Sequence, residues 1–150
     1  MRRKIEKIKD AVYGRGYVYN IHYHLIWVTK YRRECFTTPE LREEMKNILF
    51  YISEIAECVI EQAEVMPDHV HLIISIPPKY SISDIMKNLK GSSARFFFSQ
   101  HPDLKKDKFW GGHLWSPSYY IGTVGNMSKE TVVKYIQNQY KKEKALSSHD

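Results

Sequence analysis

Hydrophobic and polar positions along this chain follow two different periods, which predicts a mixture of strands and helices. The segment from Tyr17 to Lys30 is rich in Tyr, Ile, Val and Trp and is expected to form a long first strand. Thr37-Thr38-Pro39-Glu40 places a capping hydroxyl and a proline where a helix begins. Helical spacing follows in Leu41, Met45, Ile48, Leu49, Ile52, Ile55 and Ala56. Cys58 to Met66 then predicts a second strand.

A tight turn, a third strand and a second helix come next. Pro67-Asp68 is expected to connect to a strand from His69 to Ile76, which ends at Pro77-Pro78. Ser81 or Ser83 begins the second helix. Its predicted apolar stripe contains Ile82, Ile85, Met86, Leu89 and Phe96.

The last part of the chain predicts a loop, a strand and one more helix. Residues 101–117 contain two prolines and two glycines and are interpreted as a loop. Ser118 to Val124 predicts a fourth strand, and a break at Gly125-Asn126 precedes a helix from Ser128 to about Lys144. The first six elements follow the split β-α-β pattern of ferredoxin-like folds. We therefore expect an α+β fold: a four-stranded antiparallel sheet with two helices on one face, plus an extra C-terminal helix.

Length and composition indicate a single globular domain over residues 1–150, with a basic segment at 1–16 and a tail at 146–150 that is expected to be disordered. The sequence has no apolar run long enough to span a bilayer and no signal-peptide pattern. Cys35 and Cys58 lie far apart without C-x-x-C spacing, which argues against a disulfide scaffold or a zinc ribbon. A cytoplasmic protein without a membrane partner is expected.

The charge balance favours a nucleic-acid partner. The net charge is +6, and basic clusters occur at Arg2–Lys4, Lys30–Arg33, Lys87–Arg95 and Lys141–Lys144. Aromatic residues, including 11 tyrosines and three tryptophans, are interleaved with them. Basic grooves bind phosphates and aromatic faces stack unpaired bases, although a basic surface that only maintains solubility has the same composition.

Two histidines flank Val70 in the predicted third strand. Side chains on a strand alternate between faces, so His69 and His71 share one face while Val70 and Leu72 share the other. Two imidazoles two residues apart can hold one metal ion. Two partly buried polar residues at a sheet surface are the equally weighted alternative.

A second pair, His22 and His24, flanks Tyr23 in the first strand. Its face continues as Ile26 and Val28, so this pair is interpreted as structural or DNA-contacting rather than metal-binding.

The last helix contains a tyrosine outside its apolar stripe. That stripe consists of Val132, Val133, Ile136 and Tyr140. Tyr135 lies about 115° from its centre at 100° per residue, and Gln139 follows one turn later at i+4. The pattern makes Tyr135 a candidate nucleophile, with an ordinary surface tyrosine as the alternative.

In combination, these segments resemble the single-tyrosine HUH transposases of bacterial and archaeal insertion sequences. The similarity covers nearly the whole chain and is carried by Tyr23–Arg32, Met66–Leu72, Leu89–Ser93, Trp115–Tyr119 and Tyr135–Gln139. The resemblance implies a DNA transposase that cleaves and rejoins single-stranded DNA at insertion-sequence ends through a 5′-phosphotyrosine intermediate. In this interpretation Tyr135 is the nucleophile, and the ligands of Mg²⁺ or Mn²⁺ are His69, His71 and Gln139.

The resemblance also implies partners. Expected are single-stranded DNA with hairpins at the element ends and a homodimer whose active sites are shared between subunits. The predicted DNA contacts are Arg32, Arg33, Lys87, Lys90, Ser92 and Arg95. A solvated helix face is the alternative for individual residues of this set.

Two other function classes stay open at the level of sequence. One is a non-catalytic, domesticated relative that only binds hairpins. Such a protein is expected to lose the candidate tyrosine, glutamine or a motif histidine, whereas this chain keeps all of them. The other is a ferredoxin-like RNA endonuclease that uses histidine acid–base chemistry and has no need of a tyrosine.

Overall fold

The computed structural model describes residues 11–109, 111–123 and 134–138. Residues 11–109 contain both strands and helices, residues 111–123 contain one strand, and residues 134–138 are helical. Their bounds are β1 Val12–Gly14, β2 Tyr17–Tyr19, β3 His22–Val28, a 3-10 turn Lys30–Arg32, α1 Pro39–Ile55, β4 Val59–Met66, β5 His69–Ser75, α2 Ile82–Gln100, α3 Pro102–Lys108 and β6 Tyr120–Thr123.

Four strands form one antiparallel sheet in the order β4-β5-β3-β6, and β1 and β2 form a separate hairpin. This arrangement confirms the predicted antiparallel split β-α-β fold. The central strand β3 follows from the alternation of its sequence, because Leu25 and Trp27 enter the main core while Ile26 and Val28 lie on the other face.

Both long helices begin at side-chain caps. The Thr38 hydroxyl accepts a hydrogen bond from the Leu41 N–H, and Pro39 occupies the first turn, where its missing donor costs nothing. The Ser81 hydroxyl accepts from the Asp84 N–H, which settles the start of α2 at Ser81 rather than Ser83.

The main core lies between the sheet and the two long helices. Val70, Leu72 and Ile74 of β5 are fully buried there against residues of α1 and α2. Each such side chain contributes about 1.5–3 kcal/mol through the apolar surface that it removes from water. The core therefore fixes which face of β5 is turned away from the helices.

Three sequence predictions differ from the structure. The long strand from 17 to 30 is interrupted between Tyr19 and His22, and Lys30 lies in a 3-10 turn in which Tyr31 has φ 56°. The predicted loop at 101–117 contains α3, because Pro102 begins a helix instead of breaking one. Near the end of α2, Phe96 is 38% exposed while Phe97 and Phe98 are buried.

The burial at the end of α2 has a physical cause outside the helix. Phe97 packs edge-on against Phe36, and Phe98 packs against Phe109, which follows α3. A second element thus covers α2 from the side, and a single apolar stripe does not describe its last turns.

Several predictions fall outside the described residues. They are the basic clusters at 2–4 and 141–144, the break at Gly125-Asn126, the helix start at Ser128, the position of Gln139, and the tail at 146–150. In the part of the chain that is described, no helix has the length and apolar character needed to cross a membrane.

Candidate active site

The sheet face opposite α1 and α2 carries both histidines of β5. His71 lies opposite Ile26 of β3, and His69 lies opposite Val28. Because Val70 and Leu72 enter the core, the two imidazoles are directed to the other face, as the alternation predicted.

A carboxylate orients His69. Its Nδ1 lies 2.8 Å from Asp68 Oδ1, and Arg32 Nε donates to Asp68 Oδ2 at 2.9 Å. A carboxylate only accepts, so Nδ1 of His69 carries the hydrogen and Nε2 keeps its lone pair. Burial alone would raise the pKa of Asp68, but the hydrogen bonds from His69 and Arg32 lower it below its ordinary value. The acid is therefore a carboxylate near neutral pH.

His71 has neighbours at both ring nitrogens. Its Nε2 lies 3.0 Å from His24 Nδ1, and its Nδ1 lies 3.8 Å from Glu64 Oε2. Burial, followed by the charge of His24, lowers the pKa of His71, and burial lowers the pKa of His24. Both imidazoles therefore favour the neutral form, which is the form that binds metals.

The second histidine pair is divided between two environments. His24 joins the site through His71. His22 instead meets the Ser75 hydroxyl and the Glu61 carboxylate, away from the β5 pair.

The helical segment 134–138 lies on the same face of the sheet. Ile136 is buried against Ile26 and Val28, as its place in the predicted stripe required. The ring of Tyr135 packs 5.8 Å from that of Tyr120, and its hydroxyl donates to Ser118 Oγ at 3.2 Å. This sheet face thus has a partial cover that brings in the candidate nucleophile.

Sheet register gives the backbone separation between the histidines and Tyr120, the ring neighbour of Tyr135. Tyr120 of β6 and His71 of β5 both lie opposite Ile26, so they share one row across the sheet. They are two interstrand spacings apart, about 10 Å. Tyr135 therefore lies on the β6 side of the row and the imidazoles on the β5 side.

Lys90 fixes the loop that supports Tyr135. Its Nζ donates to the carbonyls of Ser116 at 2.6 Å and Ser118 at 3.0 Å, and the Ser116 N–H donates to Val28 O at 2.9 Å. The described contacts of this lysine thus serve the loop. Its predicted contact with DNA phosphate stays a prediction.

We expect Lys90→Met to lower the free energy of unfolding by about 2 kcal/mol, because two charge-assisted hydrogen bonds are lost while the aliphatic stem remains. Urea denaturation measures this change. Lys87→Met, on the exposed side of the same helix, is the matched control and should leave the stability close to wild type. Equal stability of the two variants would show that the Lys90 contacts do not hold the loop.

The other predicted DNA contacts have varied surroundings. Arg32 pairs with Asp68, and the Arg33 guanidinium lies over the rings of Tyr31 and Phe109. On α2, Lys87 and Arg95 are exposed and Ser92 is partly buried. Their binding of DNA stays a prediction.

A basic groove of about 700 Å³ lies between α2, α3 and the following loop. Its cationic lining comes from Lys90, Arg95 and Lys105, and its other walls include His113 and Trp115. The groove therefore combines cations with an aromatic ring, although Trp115 itself is largely buried. A larger apolar groove between α1 and α2, lined by residues such as Tyr51 and Phe96, has acidic rims.

The donor set at the histidines suits a divalent cation that also takes other ligands. Asp68 leaves Nε2 of His69 with its lone pair, and His71 favours the neutral form. Across residues 11–109, 111–123 and 134–138, no three His, Cys, Asp or Glu side chains form a ready-made metal site. A cation here would need a further ligand, and Gln139 stays the predicted one.

The chain is similar in sequence to known transposases. A family model described as "Transposase IS200 like" matches residues 17–139. The ISDra2 transposase TnpA of Deinococcus radiodurans is 47% identical over 130 residues, which cover 87% of this chain and 91% of that protein. The IS200 transposase of Salmonella typhimurium is 36% identical over 126 residues, which cover 84% and 81% respectively.

Solved structures give the same result. A crystal structure from Deinococcus radiodurans R1, described as that of a candidate transposase, superposes with a TM-score of 0.77 at 44% identity and covers 86% of this chain and 98% of that one. A REP-associated tyrosine transposase bound to a REP hairpin shares the fold, with a TM-score of 0.50 at 17% identity and coverage of 85% and 67%. The match over 123 of 150 residues (17–139), together with these relatives, shows that the chain belongs to the IS200-like transposase family.

Proposed function

We propose that this transposase cleaves and rejoins single-stranded DNA through a covalent bond between Tyr135 and a 5′-phosphate. The observation that carries the proposal is the position of Tyr135 on the same sheet face as the histidine pair, in contact with Tyr120, which shares a row of the sheet with His71. Ile136 supplies the buried apolar contact of this helical segment, while the Tyr135 side chain is only partly buried on the same sheet face.

The proposed reaction exchanges one phosphodiester bond for another. The phenolic oxygen of Tyr135 loses its proton and attacks the phosphorus, the bond from phosphorus to the 3′ oxygen breaks, and that oxygen leaves as a hydroxyl after taking a proton. A 3′-hydroxyl then attacks the phosphotyrosine and releases Tyr135. The number of ester bonds is unchanged, so the cycle needs no ATP.

His69 and His71 would hold the divalent cation, Mg²⁺ or Mn²⁺, with Gln139 as the third proposed ligand. When bound, the cation supplies charge neutralisation at the attacked phosphate. Asp68 keeps His69 in the tautomer whose Nε2 can coordinate.

Tyr135 contacts Tyr120, whose backbone is about 10 Å from that of His71 across the sheet, so the site would have to be completed in one of two ways. Either residues 134–138 move across β3 toward β5, or the tyrosine of a second subunit reaches this histidine pair. The second arrangement is the shared homodimer that the family resemblance implies. The hydrogen bond from the Tyr135 hydroxyl to Ser118 Oγ at 3.2 Å joins two neutral groups, so breaking it costs about 1 kcal/mol.

Hairpin DNA is the proposed partner of the basic groove between α2, α3 and the following loop. Its cations can pair with backbone phosphates, and the REP-associated relative was solved with a hairpin. The groove lies beside α2, so bound DNA would contact the predicted residue Arg95.

We expect Arg95→Ala and Lys105→Ala each to weaken hairpin binding and to reduce the slope of log Kobs against log salt by about 0.9, the loss of one phosphate contact. Fluorescence anisotropy at four salt concentrations measures the slope. Lys79→Ala removes the same charge at a side chain that pairs with Glu57 outside the groove, and should leave the slope unchanged. Equal slopes for all three variants would contradict the groove as the hairpin site.

The reaction is tested with labelled single-stranded DNA taken from both flanks of the gene, incubated with Mg²⁺ or Mn²⁺ and analysed on a denaturing gel. A labelled band at the mass of protein plus DNA supports the proposal. Cleavage of RNA but not of DNA favours the RNA endonuclease. Binding without cleavage in either metal favours the non-catalytic relative.

A further inference from the structure

His24 and His71 meet edge to edge on the sheet face that carries the candidate active site. His24 of β3 lies diagonally across from His71 of β5, because its direct partner in the sheet is Ile73. His24 Nδ1 is 3.0 Å from His71 Nε2, the ring planes are inclined by 27°, and the ring centroids are 5.2 Å apart. The difference between the two distances is close to that from ring nitrogen to ring centre, counted once for each ring. The two nitrogens therefore point almost directly at each other.

This contact occupies the Nε2 atom of His71 in the protein without metal. Two imidazole nitrogens 3.0 Å apart need one hydrogen between them, because two facing lone pairs repel each other. Glu64 Oε2 lies 3.8 Å from His71 Nδ1 and favours a hydrogen there, so Nε2 is the acceptor and His24 donates from Nδ1. If the hydrogen were on Nε2 of His71 instead, that atom would again have no lone pair to offer. In both cases Nε2 can bind a cation only after the contact has opened.

We infer that His24 competes with the metal ion for His71: the hydrogen bond between the two rings must break before Nε2 of His71 can become a ligand. This inference rests on the proposed function for the metal site that His69 and His71 would form. His69 differs from His71, because its contact with Asp68 is made through Nδ1 and leaves the Nε2 lone pair. Binding of a cation to His71 therefore has the cost of one hydrogen bond, and binding to His69 does not.

The directions of the two rings argue against His24 as a further metal ligand. Ligands of one Mg²⁺ ion direct their lone pairs at a common point from nearly octahedral directions. The nitrogens of His24 and His71 lie instead on one line and face each other. An ion on that line would need the nitrogens to be about 4 Å apart, twice the Mg²⁺–ligand distance, whereas they are 3.0 Å apart. The contact is therefore a hydrogen bond that excludes the ion.

Two substitutions separate the donor from the space that its ring fills. His24→Leu keeps a side chain of similar breadth and removes the donor. His24→Asn places an amide Nδ2 close to the position of the imidazole Nδ1, so a donor to His71 remains. The matched controls are His22→Leu and His22→Asn, on the same face of the same strand, where the side chain meets Ser75 and Glu61 instead.

The experiment uses the full chain and two measurements. ¹⁵N NMR of the metal-free protein tests for a scalar coupling between the two ring nitrogens across the hydrogen bond, which we expect in wild type and to be lost in saturating Mg²⁺. Titration calorimetry gives the Kd for Mn²⁺, which should be about fivefold lower in His24→Leu than in wild type, the equivalent of one neutral hydrogen bond. His24→Asn and both His22 variants should have a Kd close to that of wild type. Urea denaturation identifies any variant that does not fold.

Three results would overturn the inference. The first is absence of the coupling from metal-free wild type, and the second is its persistence in saturating Mg²⁺; neither depends on the folding of a variant. The third is a Kd for Mn²⁺ in folded His24→Leu that is not below that of wild type, absence of binding by both proteins included. A higher Kd would make His24 a ligand. Failure of the proposed function is a separate outcome, since wild type would then form no DNA adduct although the coupling and the order of Kd values are as expected.

Discussion

Replacing Tyr135 with phenylalanine is expected to abolish the covalent protein–DNA adduct and strand cleavage. Removal of an enzymatic nucleophile typically lowers the rate by at least about 10⁴-fold. The variant should fold, because the ring still packs against Tyr120 and the lost hydrogen bond to Ser118 is worth about 1 kcal/mol. A denaturing gel with 5′- and 3′-labelled single strands measures both adduct and cleavage, and anisotropy with a hairpin measures binding, which should stay close to wild type.

Tyr120 is the rival phenol, since its ring lies 5.8 Å from that of Tyr135 on the same face. Tyr120→Phe should retain the adduct. If instead Tyr120→Phe loses it while Tyr135→Phe forms it, the nucleophile has been assigned to the wrong neighbour. An adduct in both single variants would show that DNA is attached elsewhere.

The main elements of the fold follow from local chemistry. The starts of both long helices could be predicted because Thr38 and Ser81 satisfy backbone donors within three residues of themselves. The buried face of β5 could be predicted because Val70 and Leu72 form one apolar row. Their burial in the core turns the alternating residues His69 and His71 to the opposite face.

The elements that could not be predicted depend on tertiary contacts. Pro102 is compatible with a helix start or with a loop, and only the packing of Phe98 against Phe109 shows that the helix forms. β2 pairs with β1 in a short hairpin, although β2 lies within the segment from Tyr17 to Lys30, whose composition also fits one long strand.

The sequence predicted the two histidines and the tyrosine of the candidate site, but not the residues that contact and orient them. Asp68 stands directly before His69, and the frequent pairing of ligand histidines with carboxylates was a signal that could have identified it. The contact between His24 and His71 needs the register of two strands, and the bond from Tyr135 to Ser118 needs the loop that Lys90 holds. Neither has a local signature.

His69→Ala and His71→Ala are each expected to remove cleavage and adduct formation in Mg²⁺ or Mn²⁺, because the proposed cation would lose one of two imidazole ligands and the phosphate would lose its neutralising charge. Binding of hairpin DNA should persist, since the basic groove lies beside α2 on the other side of the sheet from these residues. Single-turnover cleavage over a range of Mn²⁺ concentrations measures the effect, and His101→Ala, whose side chain bonds Glu44 away from the site, is the control.

Asp68→Asn should give an intermediate result, because it keeps the shape of the carboxylate but not its charge toward His69 and Arg32. An outer-shell change of this kind typically costs about 10- to 100-fold in metal affinity or activity. Excess Mn²⁺ should therefore restore much of the cleavage by Asp68→Asn and none of that by His69→Ala. Full activity of the wild-type protein in the presence of a chelator would contradict a metal role for the pair, and the two imidazoles would then have to act as acid and base.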